Sequence, residues 1–405
     1  MKLKHHISFS NLNSPMDPEK PYLEPCIHDY DPQALITLLK SHLPHSVPLL
    51  RRLQHGLAYP SSTSRILTTF SGADAPVSPW LAAHVDLFTG GETQIVIYSS
   101  LEAQTTSPFT ERDGVSTLLA PPEILGQARA QLLTLLSHIK AELLPVYLSS
   151  IQPVGPTPNS SSPVLNPASS QPGLIPPPPG AFFIGNLHTG LFSLLKASGE
   201  YSHPDPVPGL RIHRFNNPPY VKYLFRGHQF VSPGSASAPL PAGYRFTDKT
   251  GRLGVQSHHL DLIRSRTSIP RSRETLNKLP GAPIYSDRET QPHPSDSSGA
   301  ADNPHDRSAV GEMPIAWAFL GVDGSLATLH VEPEYRGQGL AMAVAQEAMR
   351  LGMAEGGIWR DHGEEGEVWV HTNALESNIA SRRVMEKLGA EPAWTCTWTV
   401  LEWDL

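Results

Sequence analysis

Two cysteines in 405 residues, Cys26 and Cys396, leave nothing from which to build a disulfide framework. Small secreted domains staple themselves with cystine pairs, so a reducing compartment is expected here. Charge is also scarce. Asp, Glu, Lys and Arg make up 17% of the chain, against roughly 25% in ordinary soluble domains. The net charge is −7 and the sequence pI about 6.2, which offers no basic field to draw in nucleic acid or an anionic membrane. No apolar run is long enough to span a bilayer, and MKLKHHISFS lacks the apolar core of a secretory signal. The expected setting is the cytosol, with the nucleus and the mitochondrion as other compartments that this composition allows.

Proline is abundant. Its 41 residues are about twice the usual share and gather in a few tracts. Roughly a third of residues 152–180 are proline, ending in Pro176-Pro177-Pro178-Pro179. Such a tract is extended and solvated and builds no core. RETQPHPSDSSGAADNPHDRSAVG forms a second polar interruption, over 288–311. The length calls for more than one core. The expected organisation is a disordered tail over 1–33, an N-terminal α/β domain over 34–231 carrying the insert 152–180, and a second mixed α/β domain over 232–405 carrying the insert 288–311.

Within the first domain Leu35, Leu38, Leu39 and Leu43 recur at helical spacing, and ETQIVIYSS reads as a strand. PEILGQARAQLLTLLSHIKAELLPVYL predicts an amphipathic helix that Pro145 ends or kinks. The pattern is densest after Met313. PIAWAFL and SLATLHV predict a hairpin closed by Asp323-Gly324. VEPEYRGQGLA then leads into a helix from about Leu340 to Ala354, whose apolar face holds Leu340, Val344 and Ala348. EVWVHT predicts a strand, SNIASRRVMEKLG a helix, and AWTCTWTVLEW a final strand.

The seam from Arg336 through Gly337, Gln338, Gly339 and Leu340 to Ala341 is where chemistry is expected. A helix N-terminus carries unpaired N–H groups and a partial positive charge. Glycines before it let the backbone curl round an anion with no Cβ in the way. The spacing matches neither the dinucleotide fingerprint nor the P-loop. Glycines used only for turning are the plainer alternative.

The order of strand, glycine seam, helix, strand and helix resembles the acyl-CoA-binding core of the GNAT N-acetyltransferase superfamily. VEPEYRGQGLA is similar to its central motif and NIASRRVMEKLGA to the asparagine-containing helix that follows. MPIAWAFLGVDGSLATLHVEPEYRGQGLA further resembles the glycine N-acyltransferase branch. The resemblance implies a GNAT-like fold and an acyl-CoA co-substrate whose pyrophosphate is held by amides from Arg336 to Ala341. It also implies that Val331 pairs its backbone with the pantetheine arm, and that Asn378 and Ser381 face the CoA chain. One position departs from the pattern. Met385 stands where many members carry a tyrosine that protonates the leaving thiolate, and a thioether cannot donate a proton.

Acylating an amine needs a neutral nitrogen, and a positioned base helps by roughly 10²–10⁴-fold. His330, on the strand entering the seam, is the first candidate. Glu312, within one residue of the glutamate base of the glycine N-acyltransferase branch, is the second. Packing is the plainer role for a strand histidine. Arg264, Arg266, Arg271 and Arg273 form a basic run suited to an acceptor carboxylate or a CoA phosphate, with a solvated helix face as the plainer role. His258-His259 lack further spaced ligands, so no metal is expected. The expected activity is acyl transfer, acetyl first, from acyl-CoA to a small amino acid or small amine. Acetylation of a protein lysine or N-terminus, and acyl-CoA binding without turnover, are the alternatives.

Overall fold

The computed structural model describes residues 26–72, 76–106, 114–151, 180–196, 209–227, 239–287 except 268 and 270, 311–360 and 367–403. Residues 1–25 of the expected tail over 1–33, all but residue 180 of the insert 152–180, all but residue 311 of the insert 288–311 and the expected boundary between 231 and 232 lie outside the described residues. Residues 28–29 of that tail pair as a strand, and residue 32 opens a helix.

The first half runs β1 (His28–Asp29), α1 (Pro32–Lys40), α2 (Val47–Ala58), β2 (Arg65–Thr68), β3 (Leu81–Val85) and β4 (Ile95–Ser99). It continues with α3 (Pro122–His138), α4 (Leu144–Ile151), β5 (Ala181–His188), α5 (Thr189–Lys196), β6 (Leu210–Phe215) and β7 (Tyr220–Arg226). Asp31 starts α1 by accepting the Ala34 N–H at 2.7 Å. In β4, Ile95 and Ile97 bury against α3, while Val96 and Tyr98 bury against α1 and α2. The strand therefore reads as a continuous apolar run. Pro145 does not end its helix, which takes one widened turn ahead of it. A π-helical segment over Ile139–Leu143 joins α3 to α4, just before the residue that lacks an N–H.

The second half runs β8 (Tyr244–Arg245), α6 (Leu260–Arg266), α7 (Arg273–Asn277), β9 (Gly281–Ser286), β10 (Ala316–Leu320), β11 (Leu326–Val331), α8 (Leu340–Gly352), β12 (Trp369–Leu375), α9 (Ile379–Lys387) and β13 (Glu391–Trp403). Gly324, at φ +72, closes the β10–β11 hairpin. Leu340, Val344, Ala348 and Met349 bury one face of α8 against β9, β10 and β11, each large side chain contributing roughly 1.5–3 kcal/mol.

Two sheets form. One has the order β11-β10-β9-β8 and is antiparallel throughout. The other has nine strands in the order β1-β2-β3-β4-β5-β13-β7-β12, with β6 also on β13. The halves therefore exchange strands. β13 from the second half lies between β5 and β7 of the first, and β12 is hydrogen-bonded to β7 from Trp369 to Leu375. On β7, Val221, Tyr223 and Phe225 join the core beneath α8 and α9, while Lys222 and Leu224 point to the opposite face, toward α2. Arg51 of α2 closes that side by donating to the Trp359 carbonyl at 2.5 Å, and Trp359 Nε1 donates back to Arg51 O at 3.1 Å. Among the described residues no helix is long and apolar enough to cross a membrane.

The exchanged strands bury histidines. His188 and His371 are fully enclosed, and burial first, then neighbouring charge from His45 and Lys222 or from Lys222, pushes each imidazole down to about 3. Their folded pKa lies below the unfolded value near 6.5, so the unfolded chain takes up protons first. Stability should hold above about pH 6.5 and fall from there toward pH 3, each imidazole adding up to about 1.4 kcal/mol per pH unit. Calorimetric scans from pH 8 to pH 4 check this, and an unchanged Tm at pH 4.5 contradicts it.

Candidate functional site

β11 is paired along one edge only. It meets β12 in parallel at a single bridge, Ser325 to His371, supported by Thr372 Oγ1 donating to Leu326 O at 2.8 Å. Beyond that point the two strands part. On its other edge β11 carries a bulge. Trp317 faces His330 and Phe319 faces Ala327, so an extra residue is accommodated around Thr328, at φ +53. A β-branched residue in the left-handed region is strained, and such strain gathers at working sites.

The open edge leads straight to the glycine seam. After a short 3-10 turn over Pro333–Tyr335, Gly337 adopts φ +77 and Gly339, at φ +79, is the N-cap of α8 without any side-chain cap. Among the described residues, nothing accepts the N–H groups of Gly337, Gln338 and Gly339, and the first-turn amides of Leu340 and Ala341 have no partner within the helix. A Cβ at either glycine would meet no atom within 4 Å, so the space before these amides is open. The seam is braced from both sides. Arg336 Nε donates to Val331 O at 3.0 Å, and Tyr244 Oη donates to Gln338 Oε1 at 2.6 Å. Leu340 is buried and anchors the helix start. A curled row of free donors on a helix dipole fits a pyrophosphate.

The remaining candidates are placed unevenly. His330 shares the face of Trp317 and stacks on it, with centroids 4.6 Å apart. Its Nε2 is buried without a hydrogen bond, 3.5 Å from Glu332 Oε2. Burial outweighs Glu332 and lowers its pKa from the usual value, so the ring is neutral at neutral pH. Glu312 is not brought to His330. It takes both terminal nitrogens of Arg245 on β8, the strand farthest from β11 in that sheet, and accepts the Lys249 N–H at 2.8 Å. Asn378 caps α9 by accepting the Ser381 N–H at 3.0 Å, which joins those two and leaves the Asn378 amide as a donor. Met385 is packed in the core under α9.

The basic run is not a free anion-binding surface. Arg264 donates to Arg271 O, Arg266 to Glu332, and Arg273 to Ser257 O beside Asp261, while Arg271 lies 4.0 Å from Glu92. Both nitrogens of His259 are engaged, by the Gln256 N–H and Glu312 O. Among the described residues no group of three or more His, Cys, Asp or Glu could hold a metal ion.

The first half repeats the strand arrangement in a closed form. β4 and β5 run parallel and pair only at Ile95 and Ile184. Residues 105 and 116–118 pack against the end of β5. Thr105 bonds His188 Nε2 at 2.9 Å, Thr189 donates to Ser116 O at 2.6 Å, and Leu118 lies against Gly190. The helix that follows, α3, starts at Pro121-Pro122. Neither proline carries an N–H, so the amide row of the seam has no counterpart there.

A family model described as the acyl-CoA N-acyltransferase verG N-terminal domain matches residues 21–223, and the FR47-like protein model matches 306–399. The chain belongs to the GNAT acyl-CoA N-acyltransferases. Its co-substrate is acetyl-CoA or another acyl-CoA. Among solved structures, a Drosophila protein is 12% identical with a TM-score of 0.50, over 93% of this chain and 98% of its own. A GCN5-related N-acetyltransferase from Sphaerobacter thermophilus is 12% identical over 93% and 94%, with a TM-score of 0.41. A tandem GNAT protein from the clavulanic acid biosynthesis pathway is 11% identical over 93% and 97%, with a TM-score of 0.37. No curated protein matches the chain in sequence.

For an acyl-CoA N-acyltransferase of this shape the seam is the sharpest point to probe. Gly339→Asp places a carboxylate in open space but also strains the backbone at φ +79, so Gly339→Ala, which carries the strain without the charge, is its control and should lose far less affinity. For Gly339→Asp, calorimetry should show acetyl-CoA affinity falling by roughly 100-fold or more, with an uncompensated charge beside an anion costing at least about 2.7 kcal/mol. Unchanged affinity in the folded variant contradicts the seam as the pyrophosphate site.

Proposed function

We propose that this chain moves an acyl group, acetyl first, from acyl-CoA to a small amine such as an amino acid, within the space between β11 and β12. The observation that carries this reading is the single Ser325–His371 bridge, which leaves the β11 edge unpaired up to the open amides of the seam. The 232–405 region is read as the transferase and the 34–231 region as its support. Amides from Gly337 to Ala341 take the pyrophosphate, the β11 edge near Val331 takes the pantetheine arm, and Asn378 and Ser381 flank it from α9.

A small acceptor is favoured because the first half covers the flank of the site. Glu92, between β3 and β4, accepts from the Ser272 N–H and Thr275 Oγ1 at the start of α7. A protein acceptor needs a groove open on that side. The engaged arginines do not support a carboxylate grip, so the covered flank carries this part alone.

The base is read as His330, neutral and stacked beside the β11 bulge. Because its pKa is lowered, activity should rise through a pKa below 6.5 on the acid side. His330→Ala should reduce kcat by about 10²-fold with acyl-CoA affinity unchanged. Glu312→Gln, which loosens the Arg245 pair, should leave kcat within about threefold. Near-normal kcat in His330→Ala removes it as the base, and a large loss in Glu312→Gln reinstates the glutamate.

Met385 favours a second reading, an acyl-CoA-binding protein without turnover. A phenol does stand against the same helix. Tyr223 Oη accepts from Arg382 Nε at 3.0 Å and keeps its own proton to donate. Thiol release from acetyl-CoA and longer acyl-CoAs, with free amino acids, small amines and lysine-rich peptides, separates the readings. Small amines should be acylated and Tyr223→Phe should slow them. Acylation of peptides alone contradicts the small acceptor, no release with any acceptor favours the binding protein, and an unaffected Tyr223→Phe removes the phenol.

A further inference from the structure

Lys222 is fully buried, and no carboxylate among the described residues lies within ion-pair distance of it. Its Nζ sits 3.1 Å from His371 Nδ1 and 5.7 Å from the centre of the Trp394 ring. On the far side of the imidazole, Nε2 is 2.8 Å from the Asp323 carbonyl oxygen. These partners assign the tautomer: Nδ1 accepts from the lysine and Nε2–H donates to the carbonyl. Asp323 in turn accepts the Ser325 N–H at 3.2 Å and its hydroxyl at 2.5 Å. Ser325 and His371 form the one bridge between β11 and β12.

Stability does not explain such a lysine. A buried ammonium loses its hydration, and apolar residues of similar volume often serve a fold equally well or better. What the lysine does have is direction. It comes from β7 of the first half and ends, through one imidazole, on the turn from which the cleft opens.

We propose that Lys222 is a positioning residue for acyl transfer, holding the apex of the β11–β12 cleft through His371 and the Asp323 carbonyl. The proposal rests on reading that cleft as the acyl-CoA site. The pyrophosphate amides lie at the other end of β11, so the relay governs where the thioester sits more than how tightly CoA is held. Misplacing a reacting group by about 1 Å can cost on the order of 10²-fold in rate.

The test compares Lys222→Met, His371→Leu and His371→Gln in the full chain, reading Tm, acetyl-CoA affinity by calorimetry and kcat for thiol release. Lys222→Met leaves the buried His371 Nδ1 without its donor, so it should lower Tm modestly, hold affinity within about threefold, and lose at least about tenfold in kcat. His371→Leu should lose kcat likewise with affinity held, and lower Tm further because the buried Lys222 amine loses its acceptor. The Gln side chain can accept from Lys222 and donate to Asp323 O, so His371→Gln should recover most of kcat. Full kcat in folded Lys222→Met overturns the proposal, as does a joint loss of Tm, affinity and rate, which marks a purely structural lysine. If Lys222→Met does not fold, the pair at 371 decides, and equal kcat in Leu and Gln overturns it. Failure of the unmodified chain to bind acetyl-CoA overturns the site and this proposal together, whereas binding with full kcat in Lys222→Met overturns this proposal alone.

Discussion

β12 cannot follow β11, because its other edge is committed to β7 over its whole length. That commitment is the constraint from which the site follows. A strand edge left without a partner inside a folded chain carries N–H and C=O groups that need one. The nine-stranded sheet holds β12 away from the four-stranded one beyond the Ser325–His371 bridge, so a ligand with its own hydrogen-bonding backbone can complete β11. The amide arm of an acyl-CoA has that chemistry, and the seam beyond Val331 carries free donors suited to an anion.

The two halves use one strand arrangement in opposite ways. In the second, the parallel strands open onto Gly337 and Gly339. In the first, the corresponding opening meets Thr105, Ser116 and Leu118, and the next helix starts with two residues that have no N–H to offer. One copy keeps the donors free, and the other lends β7 to the half that carries them. Each half is completed by the other, since β13 closes the first sheet while β7 fixes the cleft of the second.

What the sequence reveals is local. The Asp323-Gly324 hairpin, the seam, the α8 face through Leu340, Val344 and Ala348, and the order of elements after Met313 all have short-range causes: turn residues, helix spacing and strand alternation. Strand exchange has none, because β7 and β12 pair across roughly 150 residues of chain, and nothing in EVWVHT names its partner. Lys222 illustrates the same limit. In YVKYLF it looks like an outward lysine on a half-exposed strand, and only the sheet shows that both faces are covered. Glu312 failed to reach His330 for a similar reason. Its neighbour in sequence is the β10 strand, yet its charge is met by Arg245 across β9. Met385 was legible as a departure but not as a core residue, since a helix face declares its burial only once β7 and β12 lie beneath it.

The account stands on one asymmetry, an open cleft in the second half and a closed one in the first. Amide hydrogen exchange of the full chain, with and without saturating acetyl-CoA, measures it directly. The account predicts slowed exchange along β11 and at the amides of Gly337 to Ala341, with no change at the start of α3. Protection at the start of α3, or none at the seam, would contradict it.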